Sequence, residues 1–127
     1  VMEVASRKRD KLFVYGNDFN TNDGTGVRDY VHVSDLARAH LAAVDILSTH
    51  QSATINLGSE KQYSVMEVIK STERITGRDI PYKVVERRKG DPDRIYASTE
   101  NALNLLGWSA KESELDNIIE TTWRIYK

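Results

Sequence analysis

The chain has 127 residues, a length that suits one domain with a modest core. Its 18 Lys and Arg against 19 Asp and Glu give a net charge of −1, which disfavours a general nucleic-acid binder. Cysteine is absent, so disulfides, thiol nucleophiles and cysteine-ligated zinc or iron–sulfur sites are excluded, and a reducing compartment fits. No apolar run approaches the roughly 18 residues that span a bilayer, and no signal peptide is visible. The chain starts at Val1, and Val1-Met2-Glu3-Val4-Ala5 reads as a helix already under way. The expectation is therefore a piece of a larger protein.

In chain order the elements alternate strand and helix, which points to α/β. Residues 1–10 read as a helix end that closes in the charged run Ser6 to Asp10. Lys11 to Tyr15 reads as a short strand. Gly16 to Gly26 is a loop dense in Asn, Asp and Gly, residues that tolerate turn geometry. Tyr30 to Val33 reads as a second strand. Ser34-Asp35 is expected to open a helix with Leu36, Ala39 or His40, Ala43, Val44 and Leu47 on its inner face. Thr54 to Leu57 reads as a buried strand stopped by Gly58.

Ser64-Val65-Met66-Glu67 is a capping box, and Val65, Val68, Ile69, Thr72 and Ile75 follow it at helical spacing. Gly77 suits the left-handed position after that helix, and Pro81 blocks its continuation. Tyr82 to Glu86 reads as a strand, and Arg87 to Arg94 as a charged loop. Ser98 or Thr99 is expected to cap a short helix that ends at Gly107. Ser113 with Asp116 is expected to cap a last helix, with Leu115, Ile118, Ile119, Trp123 and Tyr126 inward. No internal boundary is visible over residues 1–127.

Several enzyme motifs fail. The only Gly-x-Gly is Gly24-Thr25-Gly26; Asp29 stands where a dinucleotide fingerprint needs its third glycine, and no strand leads directly into it. No P-loop Gly-Lys-Ser/Thr occurs. No tyrosine has a lysine four residues on, so the Tyr-x-x-x-Lys dyad of short-chain dehydrogenases is absent and no catalytic residue is assigned. Asp29-x-x-His32-x-x-Asp35 has metal-ligand residue types. A strand-to-helix switch would scatter the three side chains, so the expected roles are a helix cap for Asp35 and a structural histidine for His32, with no metal. His40 is expected in the core, and His50 lies in a polar loop without a role. The basic run from Ser6 to Lys11 lacks interleaved aromatics, which argues against a nucleic-acid patch.

Two clusters remain: Arg28-Asp29-Tyr30 after the glycine-rich loop, and Arg87-Arg88 with Asp91 after a strand. Arginine offers a planar, permanently charged donor fork that suits a diphosphate, and a carboxylate suits a pair of ribose hydroxyls. Together they compose a nucleotide site if the fold brings them together; apart, each is a solvated charged loop.

The stretch Gly16-Asn17-Asp18-Phe19-x-Thr21-x-Asp23-Gly24-Thr25-Gly26-Val27-Arg28-Asp29-Tyr30-Val31-His32-Val33-x-Asp35-Leu36-Ala37-x-Ala39-His40 resembles the C-terminal signature of the UDP-glucose 4-epimerase family of extended short-chain dehydrogenase/reductases. Asn56-Leu57-Gly58, Tyr63-Ser64-Val65-x-Glu67-Val68, Arg87-Arg88-x-Gly90-Asp91-Pro92 and Leu106-Gly107-Trp108 follow in the family's order. The resemblance covers essentially the whole chain. It implies the C-terminal, UDP-sugar-binding part of an α/β Rossmann-type enzyme, with short strands and about four helices, and with the NAD-binding N-terminal domain not included. It implies that Arg28 and Arg88 pair with the UDP diphosphate, that Tyr30 lies near the ribose, that Asp91 accepts from the ribose hydroxyls, and that Ile95 faces the sugar.

For the intact enzyme the resemblance implies reversible inversion at C4 of the hexose of UDP-glucose and UDP-galactose, with hydride passing to and from NAD, in a cytoplasmic homodimer. This chain would supply the anchor and bind no cofactor alone, and it is expected to self-associate or be marginally stable where apolar surface meant for the Rossmann domain is exposed. The alternatives are a non-catalytic binding or interaction module, and a piece of a related nucleotide-sugar dehydratase or decarboxylase.

Overall fold

A computed structural model describes residues 1–49 and 52–127. His50, assigned no role above, lies outside the described residues. The elements run α1 (Met2–Ala5), β1 (Leu12–Tyr15), β2 (Val27–Asp29), α2 (Val33–Ile46), β3 (Gln62–Ser64), α3 (Val65–Thr76), β4 (Tyr82–Val85), β5 (Arg94–Ile95), α4 (Glu100–Leu106) and α5 (Leu115–Tyr126). Five helices are thus present among the described residues, against about four expected.

The chain gathers into two compact units, each drawn from separated stretches. The first comprises Val1–Arg28, Tyr63–Ile95 and Leu115–Lys127, and the second Asp29–Gln62 and Tyr96–Glu114.

In the first unit β1 and β4 pair in parallel, with Leu12 opposite Tyr82 and Tyr15 opposite Val85. β2 and β5 also pair in parallel, with Val27 opposite Arg94 and Arg28 opposite Ile95. β3, β2 and β5 form one sheet in that order. Val4, Ala5, Val14, Ile69 and Ile80 are the buried core, with Leu12, Val65, Met66 and Trp123 packed on it. Each fully buried Val or Ile there contributes about 1.5–3 kcal/mol.

The inner face expected of α3 holds: Ile69 and Thr72 are buried, and Val65, Val68 and Ile75 half-buried. Ser64 and Glu67 form the expected reciprocal cap, and Gly77 ends the helix at φ 64°. The expected face of α5 holds as well, with Leu115 and Ile119 buried.

The second unit packs Ala39, Ala102 and Trp108 together, with Val31, Ile55, Leu57 and Leu106 against them. Here several expectations are corrected. The strand expected over Tyr30 to Val33 lies three residues earlier, where Val27 and Arg28 find ladder partners in β5, and Val33 already opens α2. His32, not Ser34 or Asp35, is the N-cap, and its Nδ1 accepts from the Ser34 N–H at 3.0 Å.

Thr54 to Leu57 is not a strand. Its alternation is real, with Ile55 and Leu57 turned inward, but it joins no ladder. His40 is exposed rather than core, and its Nδ1 lies 2.7 Å from the Leu36 carbonyl. Leu36 and Ala43 are half-buried, whereas Val33, Leu41, Val44 and Leu47 leave an apolar face of α2 exposed. Thr99 precedes α4 without a side-chain cap, and its hydroxyl bonds Glu60 instead. Gly107 ends α4 in the left-handed region as expected.

Asp35 is the polar centre of this unit, with 0% exposure. Its carboxylate accepts from Lys111 N (3.0 Å), Glu112 N (2.9 Å) and the Ser113 hydroxyl (2.5 Å), and it pairs with Arg38. Trp108 Nε1 donates to the Asp35 carbonyl at 2.9 Å. The two residues expected to cap α5 make longer-range bonds: the Ser113 hydroxyl donates to Asp35, and Asp116 accepts from Ser71 and Arg74.

Asp29 is also engaged, accepting from Ser59 N (2.9 Å), Ser59 Oγ (2.5 Å) and Ala97 N (3.3 Å). Glycine is required at position 58, since a Cβ there would overlap the Asp29 carboxylate and Ala97. Asp29, His32 and Asp35 thus have three separate tasks, and no metal-competent cluster occurs among the described residues.

Burial pushes the Asp35 carboxyl up, but the bonds from Lys111, Ser113 and Glu112 and the Arg38 charge outweigh it and hold it below its ordinary value. A depressed folded-state value means the stabilisation is present above the unfolded carboxylate value and lost as pH falls through the folded one. The melting temperature is expected to drop between about pH 5 and pH 3, and Asp35→Asn is expected to flatten that drop. At pH 7, Asp35→Ala should cost on the order of 3 kcal/mol in denaturant melts, because it removes the acceptor of the buried Ser113 hydroxyl and of the Lys111 and Glu112 N–H groups together. A cost within about 0.5 kcal/mol, the range of an ordinary surface change, would remove Asp35 from this role.

Candidate functional site

Parallel pairing sends the chain out of β1 and β4 at the same edge. Gly16 N donates to Val85 O at 2.9 Å, so the two strands end together. Two loops leave that edge: residues 16–26, which lead into β2, and residues 86–93, which lead into β5. Both then enter the second parallel pair, where Val27 N donates to Asp93 O at 2.9 Å. The topology thus holds the loop before Arg28 beside the loop that carries Arg87, Arg88 and Asp91.

The first loop is clamped from within and from below. Gly24 adopts φ +77°, a region open to glycine, and any side chain there would overlap the Asn17 carbonyl. Asp23 Oδ1 accepts from Thr25 N (2.9 Å) and Thr25 Oγ1 (2.7 Å), and Asp23 also bonds the Ser64 hydroxyl. Thr21 Oγ1 donates to Thr25 O at 2.7 Å. Partial burial pushes the Asp23 carboxyl up, but these bonds and the charge of Lys70 hold it below its ordinary value.

A helix N-terminus leaves its first N–H groups without intrahelical partners. In α3, Val65 N donates to Gly26 O (3.2 Å), Met66 N to Thr25 Oγ1 (3.3 Å) and Glu67 N to Ser64 Oγ (3.1 Å). Thr25, with 2% exposure, is therefore both acceptor and donor in one buried junction.

Between the two loops lies a recess of about 200 Å³ built wholly from the first unit. Arg28, Arg88 and Asp91 line it, over a floor that includes Phe13, Tyr15 and Phe19. Three of the five candidate site residues are thus brought together. Ile95 pairs with Arg28 in the β2–β5 ladder and is half exposed. Tyr30 belongs to the second unit, where it is half-buried. The aromatic floor was not assigned from sequence; the alternation of Phe13 and Tyr15 in β1, flanking buried Val14, was the signal for it.

The arginines differ in restraint. Arg28 Nη1 donates to Val27 O (2.8 Å) and Pro92 O (3.2 Å), which ties one loop to the other. Arg87 stacks over Phe19 at 4.1 Å, donates to Asp91 O at 2.8 Å and lies 3.7 Å from Asp93. Arg88 is exposed and rests over the Tyr15 ring at 4.0 Å. The recess therefore presents two guanidinium groups and a carboxylate on an aromatic floor. Such an arrangement grips a charged oxyanion and an adjoining polar, planar group.

These residues do not fit a dinucleotide. The close approach at Gly24 is taken up by its own loop, and Gly24-Thr25-Gly26 leads into strand β2 rather than a helix.

Comparison with known proteins fixes the class. Solved structures of short-chain dehydrogenase/reductase epimerases share this α/β fold. A UDP-glucose 4-epimerase from Stenotrophomonas maltophila, solved with bound NAD and formylated UDP-arabinopyranose, superposes with TM-score 0.91 at 38% identity, covering 99% of this chain and 38% of that one. A Bifidobacterium longum UDP-glucose 4-epimerase in complex with NAD+ and UDP gives TM-score 0.89 at 40% identity, covering 98% and 37%.

The model of the family described as GDP-mannose 4,6 dehydratase matches residues 1–122, and the chain belongs to that family. In sequence it is similar to the UDP-glucose 4-epimerase of Lacticaseibacillus casei, 43% identical over 97% of this chain and 38% of the relative. It is also similar to that of Homo sapiens, 46% identical over 100% and 36%. The chain thus spans somewhat over a third of the length of the curated relatives it matches. The expected fold class and resemblance are borne out.

Removing the Thr25 hydroxyl tests the clamp. Thr25→Val is expected to destabilise the protein by about 1–3 kcal/mol in denaturant unfolding, by stranding the Met66 N–H, while Thr25→Ser retains most of the stability. Equal stability of Thr25→Val and the parent would show that the junction does not hold the loop.

Proposed function

We propose that this chain is the UDP-anchoring part of an NAD-dependent UDP-glucose 4-epimerase that interconverts UDP-glucose and UDP-galactose. The observation that carries the reading is the convergence of Arg28, Arg88 and Asp91 on one recess, from loops that leave β1 and β4 at the same edge. In this reading Arg28 and Arg88 hold the diphosphate, and Asp91 accepts from the ribose hydroxyls. Tyr30 lies near the ribose and Ile95 faces the sugar; for these two the family resemblance is the support.

The chain's task is then to hold, not to react. Binding energy at the nucleotide, remote from the reacting carbon, keeps the sugar in place while its C4 is changed. NAD and the groups that exchange protons with the sugar belong to the rest of the enzyme, and the residues here stay clear of that chemistry. A homodimer in the cytoplasm completes the reading and rests on the resemblance alone.

Protein made from the complete coding sequence is expected to interconvert UDP-glucose and UDP-galactose. Intact, NAD-loaded protein that turns over neither sugar would overturn the epimerase reading; release of a dehydrated or decarboxylated product would replace it with the related-enzyme alternative. Arg28→Ala should weaken UDP binding at least about tenfold by calorimetry, through loss of a charge-assisted contact. Unchanged affinity would take Arg28 out of the site.

A further inference from the structure

The consecutive arginines Arg87 and Arg88 are chemically identical but held differently. Arg87 is committed: it stacks on buried Phe19, bonds the Asp91 carbonyl and faces Asp93. Its Nη2 thus serves the shape of the 86–93 loop. Arg88 has a single restraint, the face of Tyr15 4.0 Å from its guanidinium carbon. Among the described residues no side-chain hydrogen bond or ion pair uses its N–H groups. An aromatic face attracts a guanidinium through the ring quadrupole yet leaves the in-plane N–H groups free. The ring contact therefore restrains the Arg88 guanidinium without consuming a donor.

We infer that Tyr15 is a positioning residue: its ring holds the Arg88 guanidinium over the recess so that the donor fork meets a phosphate already oriented. The inference rests on the diphosphate reading above and deepens it. Tyr15 suits the task because β1 fixes it. Its strand neighbour Val14 has 1% exposure in the core, and Val85 lies opposite Tyr15 in the ladder. Without the ring, Arg88 would sample its many rotamers in solvent, and ordering it on binding would weaken phosphate affinity. The aromatic face matters and the hydroxyl does not, so phenylalanine should serve equally.

The test uses the complete protein with UDP and uridine as probes, their affinities read by calorimetry or by competition. Tyr15→Leu is expected to weaken UDP about threefold to fivefold, as for an exposed cation–π contact, and to leave uridine nearly unchanged. Tyr15→Phe should restore parental UDP affinity. In an Arg88→Ala background, Tyr15→Leu should cause no further loss. Equal losses for UDP and uridine, or an undiminished loss in the Arg88→Ala background, would overturn the inference, because the ring would then act on the nucleoside directly. Parental UDP affinity in Tyr15→Leu would overturn it too. Absence of UDP binding by the parent protein would instead sink the diphosphate reading, so the two failures are distinguishable.

Discussion

The N-terminus of α3 is the constraint on which the recess depends. A helix start must find acceptors for its first N–H groups, and α3 finds two of them in the last residues of a loop about forty positions earlier. Thr25 Oγ1 and Gly26 O take Met66 N and Val65 N, and Ser64 takes Glu67 N. Val27 and Arg28 follow immediately, so satisfying a helix end also sets where β2 begins. The Asp23 carboxylate closes the arrangement by bonding both Thr25 and Ser64. Local folding and placement of a charged side chain are here one event.

Topology does the rest. Two parallel strand pairs in series place two loops side by side, and the crosslink from Arg28 to the Pro92 carbonyl spans them. Ligand sites outside the carboxyl ends of parallel strands are the general rule in α/β sheets, and this recess follows it. The net charge of −1 gives no hint of it, since Arg28 and Arg88 face the recess while acidic residues elsewhere compensate.

What the sequence made legible was whatever is encoded within one turn of chain. The Ser64–Glu67 cap, the glycine stops at 77 and 107, and the inward faces of α3 and α5 all depend on neighbours three or four residues apart. Long-range choices were hidden. His32 is an unusual cap, and residue preference pointed to Ser34 or Asp35. Asp35 instead reaches residues 111–113, a contact that no local pattern encodes. Thr54 to Leu57 alternates as a strand should, yet pairing needs a partner edge that periodicity cannot supply.

The site shows the same division. Arg28, Arg88 and Asp91 stood out by residue type, but their convergence required the parallel register of β1 with β4. The contrast between committed Arg87 and uncommitted Arg88 was invisible in a dipeptide of identical residues. A crystal structure of the complete protein with UDP is the most direct measurement of the recess's role. The diphosphate is predicted between the Arg28 and Arg88 guanidinium groups, with Asp91 on the ribose hydroxyls. A nucleotide seated elsewhere, with both arginines still facing solvent, would contradict it.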